Sequence, residues 1–148
     1  MDPTTYNKPN AFERRFNKFF GVLVRLGLAL PHNYLVVVRG RKSGREYANP
    51  VDVLDLNGRR FLVAPRGATE WSRNALAAGE VVLKKGVHAE AFAAVPLPDE
   101  QKPEILKAYL ERFSRAVKRY FPVSPGAPAE AFRPLAPRYP VFELRRKG

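Results

Sequence analysis

Cysteine is absent from the 148 residues. Its absence excludes disulfides, thiolate metal sites and cysteine nucleophiles together. Histidine is scarce: His32 and His88 stand far apart, which argues against a histidine-rich metal centre. No apolar run reaches the roughly 18 residues that a membrane-spanning helix needs. Phe19 to Leu30 is apolar and follows several cations, as in a signal peptide. Arg25 interrupts it and no small-residue cleavage site follows, so the chain reads as cytoplasmic. Acidic residues number 14 against 26 lysines and arginines, a net charge of +12. Such a field attracts nucleic acid, anionic lipid or a multiply charged small molecule.

A chain of this length with 45% hydrophobic residues can bury a proper core, which excludes wholesale disorder. The polar residues 1–10 read as a loose N-terminus, and 11–148 as one domain. From Ala11 to Leu30 the spacing predicts an amphipathic helix. Phe12, Phe16, Phe19, Phe20, Leu23 and Leu26 recur at three- and four-residue steps, with the cations largely off that stripe. The helix fits packing on the domain's own core; a second reading lays it on an anionic membrane surface.

The most informative stretch is Gly40-Arg41-Lys42-Ser43-Gly44-Arg45, continuing to Asn49-Pro50. It lies between two apolar runs that read as strands, Tyr34 to Val38 and Val51 to Leu56. Glycines let a backbone turn tightly, and free amides, a hydroxyl and cations together suit phosphate or carboxylate. A basic turn with solvated charges is the plainer alternative. Next, Asn57-Gly58 between Val51–Leu56 and Arg59–Ala64 predicts a type I′ hairpin. After Pro65-Arg66-Gly67-Ala68 comes a short helix over Glu70 to Ala78, capped by Thr69. A second hairpin turns at Gly86. In its second strand Val87, Ala89, Ala91, Ala93 and Val95 are read as one face, and His88, Glu90 and Phe92 as the other, with His88 facing solvent.

Pro103 to Phe121 reads as the longest helix, with Leu106, Leu110, Phe113, Val117 and Phe121 as its buried stripe. Pro122 to Pro137 reads as a loop with at most one short turn near Ala129 to Phe132; long loops of this kind often serve as lids. Tyr139 to Leu144 is a last strand. The expected fold class is α+β: about six short antiparallel strands closing as a barrel, with an N-terminal helix and a long helix before the last strand.

The ordered series Gly40-Arg41-Lys42-Ser43-Gly44, Asn49-Pro50, Asn57-Gly58, Pro65-Arg66-Gly67 and Trp71-Ser72-Arg73-Asn74 resembles the deazaflavin-dependent nitroreductase family of split-β-barrel oxidoreductases. The resemblance covers roughly Asn33 to Leu83 and returns at Arg138 to Glu143. It implies coenzyme F420 as cofactor, with FMN as the alternative, and hydride transfer to a quinone, nitroaromatic or similar acceptor. It implies that Arg41, Lys42 and Ser43 hold the phosphate and acidic tail, that Asn49 and Pro50 line the ring, and that Ala64, Pro65, Arg66 and Gly67 wall the pocket. Trp71 and Asn74 would pack and hydrogen-bond near the phosphate. Pro65 departs from a family position that often carries a hydroxyl, and Asp52 from one that is often aromatic. Phe132 stands where the family carries tyrosines and becomes a candidate lid residue. Asp52, if buried beside the ring, is the candidate proton donor; an exposed strand carboxylate is its plainer reading.

Two other classes fit parts of the chain. A non-catalytic barrel module could hold a deazaflavin, FMN or a lipid. Nucleic-acid binding rests on charge alone: the cations are dispersed and the aromatics mostly occupy helix stripes, which points away from a specific nucleic-acid interface. Monomer and homodimer both remain open.

Overall fold

The computed structural model describes residues 31–147. The helix expected over 11–30, with its membrane reading, lies outside them. Among the described residues six strands are present: β1 (Asn33–Arg39), β2 (Glu46–Leu56), β3 (Arg59–Val63), β4 (Glu80–Lys85), β5 (His88–Pro96) and β6 (Val141–Arg146). They close into one antiparallel barrel in the order β1-β2-β3-β6-β5-β4. Helix α1 (Glu70–Ala78) packs on β1, β4 and β5. The α+β barrel expected from the sequence is the fold observed.

Alternation along the strands divides the core in two. Val36, Val38, Val53, Leu62, Phe92 and Phe142 belong to a cluster drawn from all parts of the barrel. Their neighbours Leu54, Phe61 and Val63 face the opposite way and pack under the helices that follow β5. The β2–β3 turn has Asn57 at φ 53° and Gly58 at φ 78°, the left-handed pair of the expected type I′ hairpin. On β5 the core side is Phe92 and Ala94, whereas Val87, Ala89 and Ala91 are exposed. The alanine-rich face is therefore not the buried one: large side chains reward burial far more than methyls do.

The helical layer differs from the expected single helix. It comprises α2 (Pro103–Arg112), a short α3 (Ser114–Val117) and a 3-10 turn over Lys118–Tyr120. The break falls at Phe113, whose backbone leaves helical geometry at φ −116°, ψ 28°. The expected stripe survives it, since Leu106, Leu110, Phe113, Val117 and Phe121 are all buried. The segment expected to be a loop holds a ten-residue 3-10 helix, Ala129–Arg138, that accommodates Pro134 and Pro137. Lys102, itself buried, pins it: Nζ donates to the Ala136 carbonyl at 3.0 Å and pairs with Asp99 at 2.9 Å.

Strand β2 changes partner along its length. Glu46 to Asp52 pair with β1, and Val53 to Leu56 pair with β3. In the β1–β2 register, Val53 N–H donates to the His32 carbonyl and Gly40 N–H to the Arg45 carbonyl. Hydrogen-bonded rungs alternate with open ones, so the Leu35–Pro50 rung is open and the proline nitrogen points away from β1. β3 ends at Val63, and Ala64 to Gly67 form a turn closed by Gly67 N–H donating to the Ala64 carbonyl at 3.1 Å. The β2–β3 register runs from Leu56–Arg59 to Val53–Leu62 and goes no further. The seam is the place where β2, carrying Asn49 and Pro50, runs on with β1 while Ala64-Pro65 turns away.

Candidate functional site

The Gly40 turn is a compact hydrogen-bonded unit. Gly44 N–H donates to the Gly40 carbonyl at 2.9 Å, and Arg39 Nη1 to the Gly44 carbonyl at 2.8 Å. Gly44 sits at φ +76°, where a side chain would be strained. Gly40 is crowded for another reason: a Cβ there would lie 2.7 Å from Tyr47 Cε2 and 3.0 Å from Ser43 Oγ. The Ser43 hydroxyl accepts from Arg45 N–H at 3.1 Å and shares a hydrogen with Tyr47 Oη at 3.2 Å. It is engaged in shaping the turn.

Helix α1 anchors this turn. Asn74 is buried, and its Oδ1 accepts twice from Arg41, from the backbone N–H at 3.0 Å and from Nη1 at 2.7 Å. One helical turn earlier, Glu70 Oε1 accepts from the same Nη1 at 3.0 Å. That hydrogen bond holds the Glu70 carboxyl below its ordinary range, with the charges of Arg41, Arg73 and Lys42 adding to it. Lys42 is exposed and has no hydrogen-bonded or ion-paired partner among the described residues. Thr69 occupies the N-cap position of α1 without capping it. Its backbone is extended, and its Oγ1 is buried with no hydrogen-bond partner among the described residues. Ser72 Oγ instead donates to the Thr69 carbonyl at 2.9 Å.

Pro65 to Gly67 lead directly into α1. Ala64 is fully buried, and its N–H donates to the Pro140 carbonyl at 2.9 Å. Pro65 is half-buried, Arg66 is exposed, and Gly67 turns the chain at φ +95°. Trp71 is half-buried against the barrel cluster, its ring 6.3 Å from that of Phe142. The turn carrying Arg41, Lys42 and Ser43 is thus bonded to the helix that the Pro65 to Gly67 turn begins. Asn49 and Pro50 lie across the seam.

Asp52 is not an exposed strand carboxylate. Its side chain is 19% exposed, Oδ1 accepts from Asn33 Nδ2 at 2.6 Å, and His32 Nε2 lies 3.4 Å away. Burial raises its carboxyl above the usual range, while His32 and Asn33 pull it back. The ring of His32 in turn packs 4.6 Å from Phe113.

Phe132 does not fit the lid role. It is fully buried in the helical-layer core, edge-on to Phe121 with ring centroids 6.4 Å apart. Its ring is large and apolar, and the 3-10 helix turns it inward. Glu70 and Arg73 were missed from sequence. The usable signal was spacing: Glu70 precedes Asn74 by four residues, which puts both on one helix face.

The donor set suits a ligand with several negative charges. Arg41 is oriented, Lys42 and Arg73 are close by, and a buried threonine hydroxyl stands unpartnered among the described residues at the start of α1. Comparison with known proteins points the same way. The family model described as F420H2-dependent quinone reductase matches residues 11–120, most of the chain. Among solved structures, an F420-H2 dependent reductase matches with TM-score 0.52 at 20% identity, over 78% of this chain and 95% of that one. A protein from Agrobacterium tumefaciens str. C58 matches with TM-score 0.54 at 17% identity. The match covers 79% of this chain and 49% of that one, so this chain spans about half the length of that relative. A third, described as a domain-swapped dimer, matches with TM-score 0.54 at 18% identity over 97% and 100% of the two chains. At these identities the structural likenesses establish the fold. No protein with a curated description matches in sequence. The family match carries the quinone reductase description, related to the nitroreductase one that the motifs suggested. With the barrel and the ordered motifs in agreement, this chain belongs to the F420H2-dependent quinone reductase family, oxidoreductases that use coenzyme F420.

Proposed function

We propose that this chain binds reduced coenzyme F420 across the β2–β3 seam and passes a hydride to a quinone or similar electron-poor small molecule. The observation that carries the reading is the oriented Arg41, with Lys42 and Arg73 beside it, bonded to the helix that begins where the seam ends. Lys42 and Arg41 would hold the phosphate and acidic tail, with the Thr69 hydroxyl as an additional donor. Ser43 and Asn74 would support them by fixing the turn. Asn49, Pro50, Ala64 and Pro65 would line the ring, and Arg66, Gly67 and Trp71 would complete the wall. When bound, the coenzyme supplies the electrons as hydride. The protein's part is orientation and exclusion of water. Pro65 offers the ring neither a hydroxyl nor an N–H, so its contribution is shape. Asp52 is the candidate proton carrier: its half-buried carboxyl can hold a proton at Oδ for the reduced acceptor.

The test is a fluorescence titration of the purified protein with the deazaflavin coenzyme and, separately, with FMN, beside Lys42→Ala. The expected result is deazaflavin binding that weakens by about tenfold in the variant, as for loss of one charge-assisted contact. Turnover of a quinone with the reduced coenzyme completes it. FMN binding without deazaflavin binding would overturn the cofactor assignment, and coenzyme binding without turnover on any acceptor would favour a non-catalytic module.

A further inference from the structure

The Arg41 guanidinium already has an anion on it. Glu70 Oε1 lies 3.0 Å from Nη1, and Asn74 Oδ1 lies 2.7 Å from the same nitrogen. The two acceptors are not alike. Asn74 is buried and holds the Arg41 backbone as well. Glu70 has a side chain 75% exposed, against 22% for Arg41. Asn74 is therefore the fixed support and Glu70 the part that can leave. A carboxylate so exposed can turn into water with little desolvation cost, and Arg41 stays in place on Asn74 when it does.

We propose that Glu70 is an internal counter-anion, which a ligand's phosphate or carboxylate displaces from Arg41, so that the site favours polyanions over monoanions. The identity of the natural ligand rests on the coenzyme reading above; the displacement does not. A ligand with one negative charge gains Arg41 only by releasing Glu70, an exchange of like for like. A ligand with several charges makes the same exchange and also reaches Lys42 and Arg73, which Glu70 alone cannot neutralise. The carboxylate thus sets a threshold of charge. It also keeps Arg41 extended toward the site when no ligand is bound, which limits the ordering cost at binding.

The experiment uses the full chain and its Glu70→Gln variant with three probes: the coenzyme with its polyglutamate tail, the deazaflavin chromophore lacking phosphate and tail, and inorganic triphosphate. The expected result is a two- to fivefold tightening of coenzyme and triphosphate in the variant, about the strength of one partly exposed ion pair. Chromophore binding stays as in the wild type. Triphosphate binding that is unchanged or weaker in Glu70→Gln overturns the proposal, as does its absence from both proteins. Triphosphate binding without coenzyme binding in the wild type would fail the coenzyme reading alone, and the triphosphate comparison would still decide the displacement. Glu70→Ala guards against misfolding: a merely structural glutamate would weaken every probe in both variants and lower the melting temperature with them.

Discussion

Replacing Asn74 with alanine tests whether α1 supports the anion site. The substitution removes one acceptor and two hydrogen bonds, one from the Arg41 backbone N–H and one from its guanidinium. A neutral hydrogen bond contributes about 1 kcal/mol and one to a charged group about 1.5–3. Glu70 remains on the guanidinium, and water can reach an exposed turn, so the loss should fall near the lower end, about 2 kcal/mol. For a chain of this size that is a fall in melting temperature of about 4–8 °C. Coenzyme affinity should fall by about tenfold, because Arg41 is no longer held in one orientation. Asn74→Asp separates the two effects. It keeps an acceptor for Arg41, so the melting temperature should stay within about 2 °C of wild type, but the added negative charge should weaken anion binding. Thermal unfolding and a fluorescence titration on the three proteins suffice. An alanine variant with unchanged melting temperature and unchanged coenzyme affinity would refute the reasoning.

Two further substitutions probe other parts of the molecule. Phe132→Ala should cost about 4 kcal/mol, as large-to-small changes in a close-packed core do, and lower the melting temperature by about 8–16 °C; a stable variant with an altered acceptor KM would restore the lid role. Glu143 is buried on β6 and paired with Arg59 at 3.0 Å and Arg145 at 3.1 Å, and the Arg59 hydrogen bond holds its carboxyl below its ordinary range. Its folded pKa is depressed, so the stability it contributes is present above the unfolded value of 4.5 and is lost as pH falls through the folded one. Glu143→Gln should lower stability at neutral pH by about 1 kcal/mol, discounted for two half-exposed arginines, and should flatten the acid limb of a denaturation series. An acid limb identical to wild type would refute the assignment.

What the sequence made legible followed from local chemistry. Asn57-Gly58 specifies its turn with no help from the rest of the chain, and α1 runs from Glu70 to Ala78 as its pattern predicts. The buried stripe from Leu106 to Phe121 was readable because burial follows spacing even where the helix breaks at Phe113. The 3-10 helix over Ala129–Arg138 was not readable, since its prolines argue against regular structure and its support comes from Lys102, far away in sequence. On β5 the exposure of His88 was legible from its polar neighbours, whereas the burial of Phe92 and Ala94 was not, because alternation alone does not say which face turns to the core. At the site, the motif residues were visible as types, but the double grip of Asn74 on Arg41 spans 33 residues and appears only in the fold.

The turn that ends β3 carries a consequence for how such a cleft can change over evolutionary time. It is closed by a bond between backbone atoms, Gly67 N–H on the Ala64 carbonyl, and Gly67 holds φ +95°. Neither depends on the side chain at residue 65. That position can therefore exchange one side chain for another, adjusting what the pocket offers a ligand, while the turn and the opening beside it persist. Gly67 has no such freedom, because its backbone lies where other residues are strained.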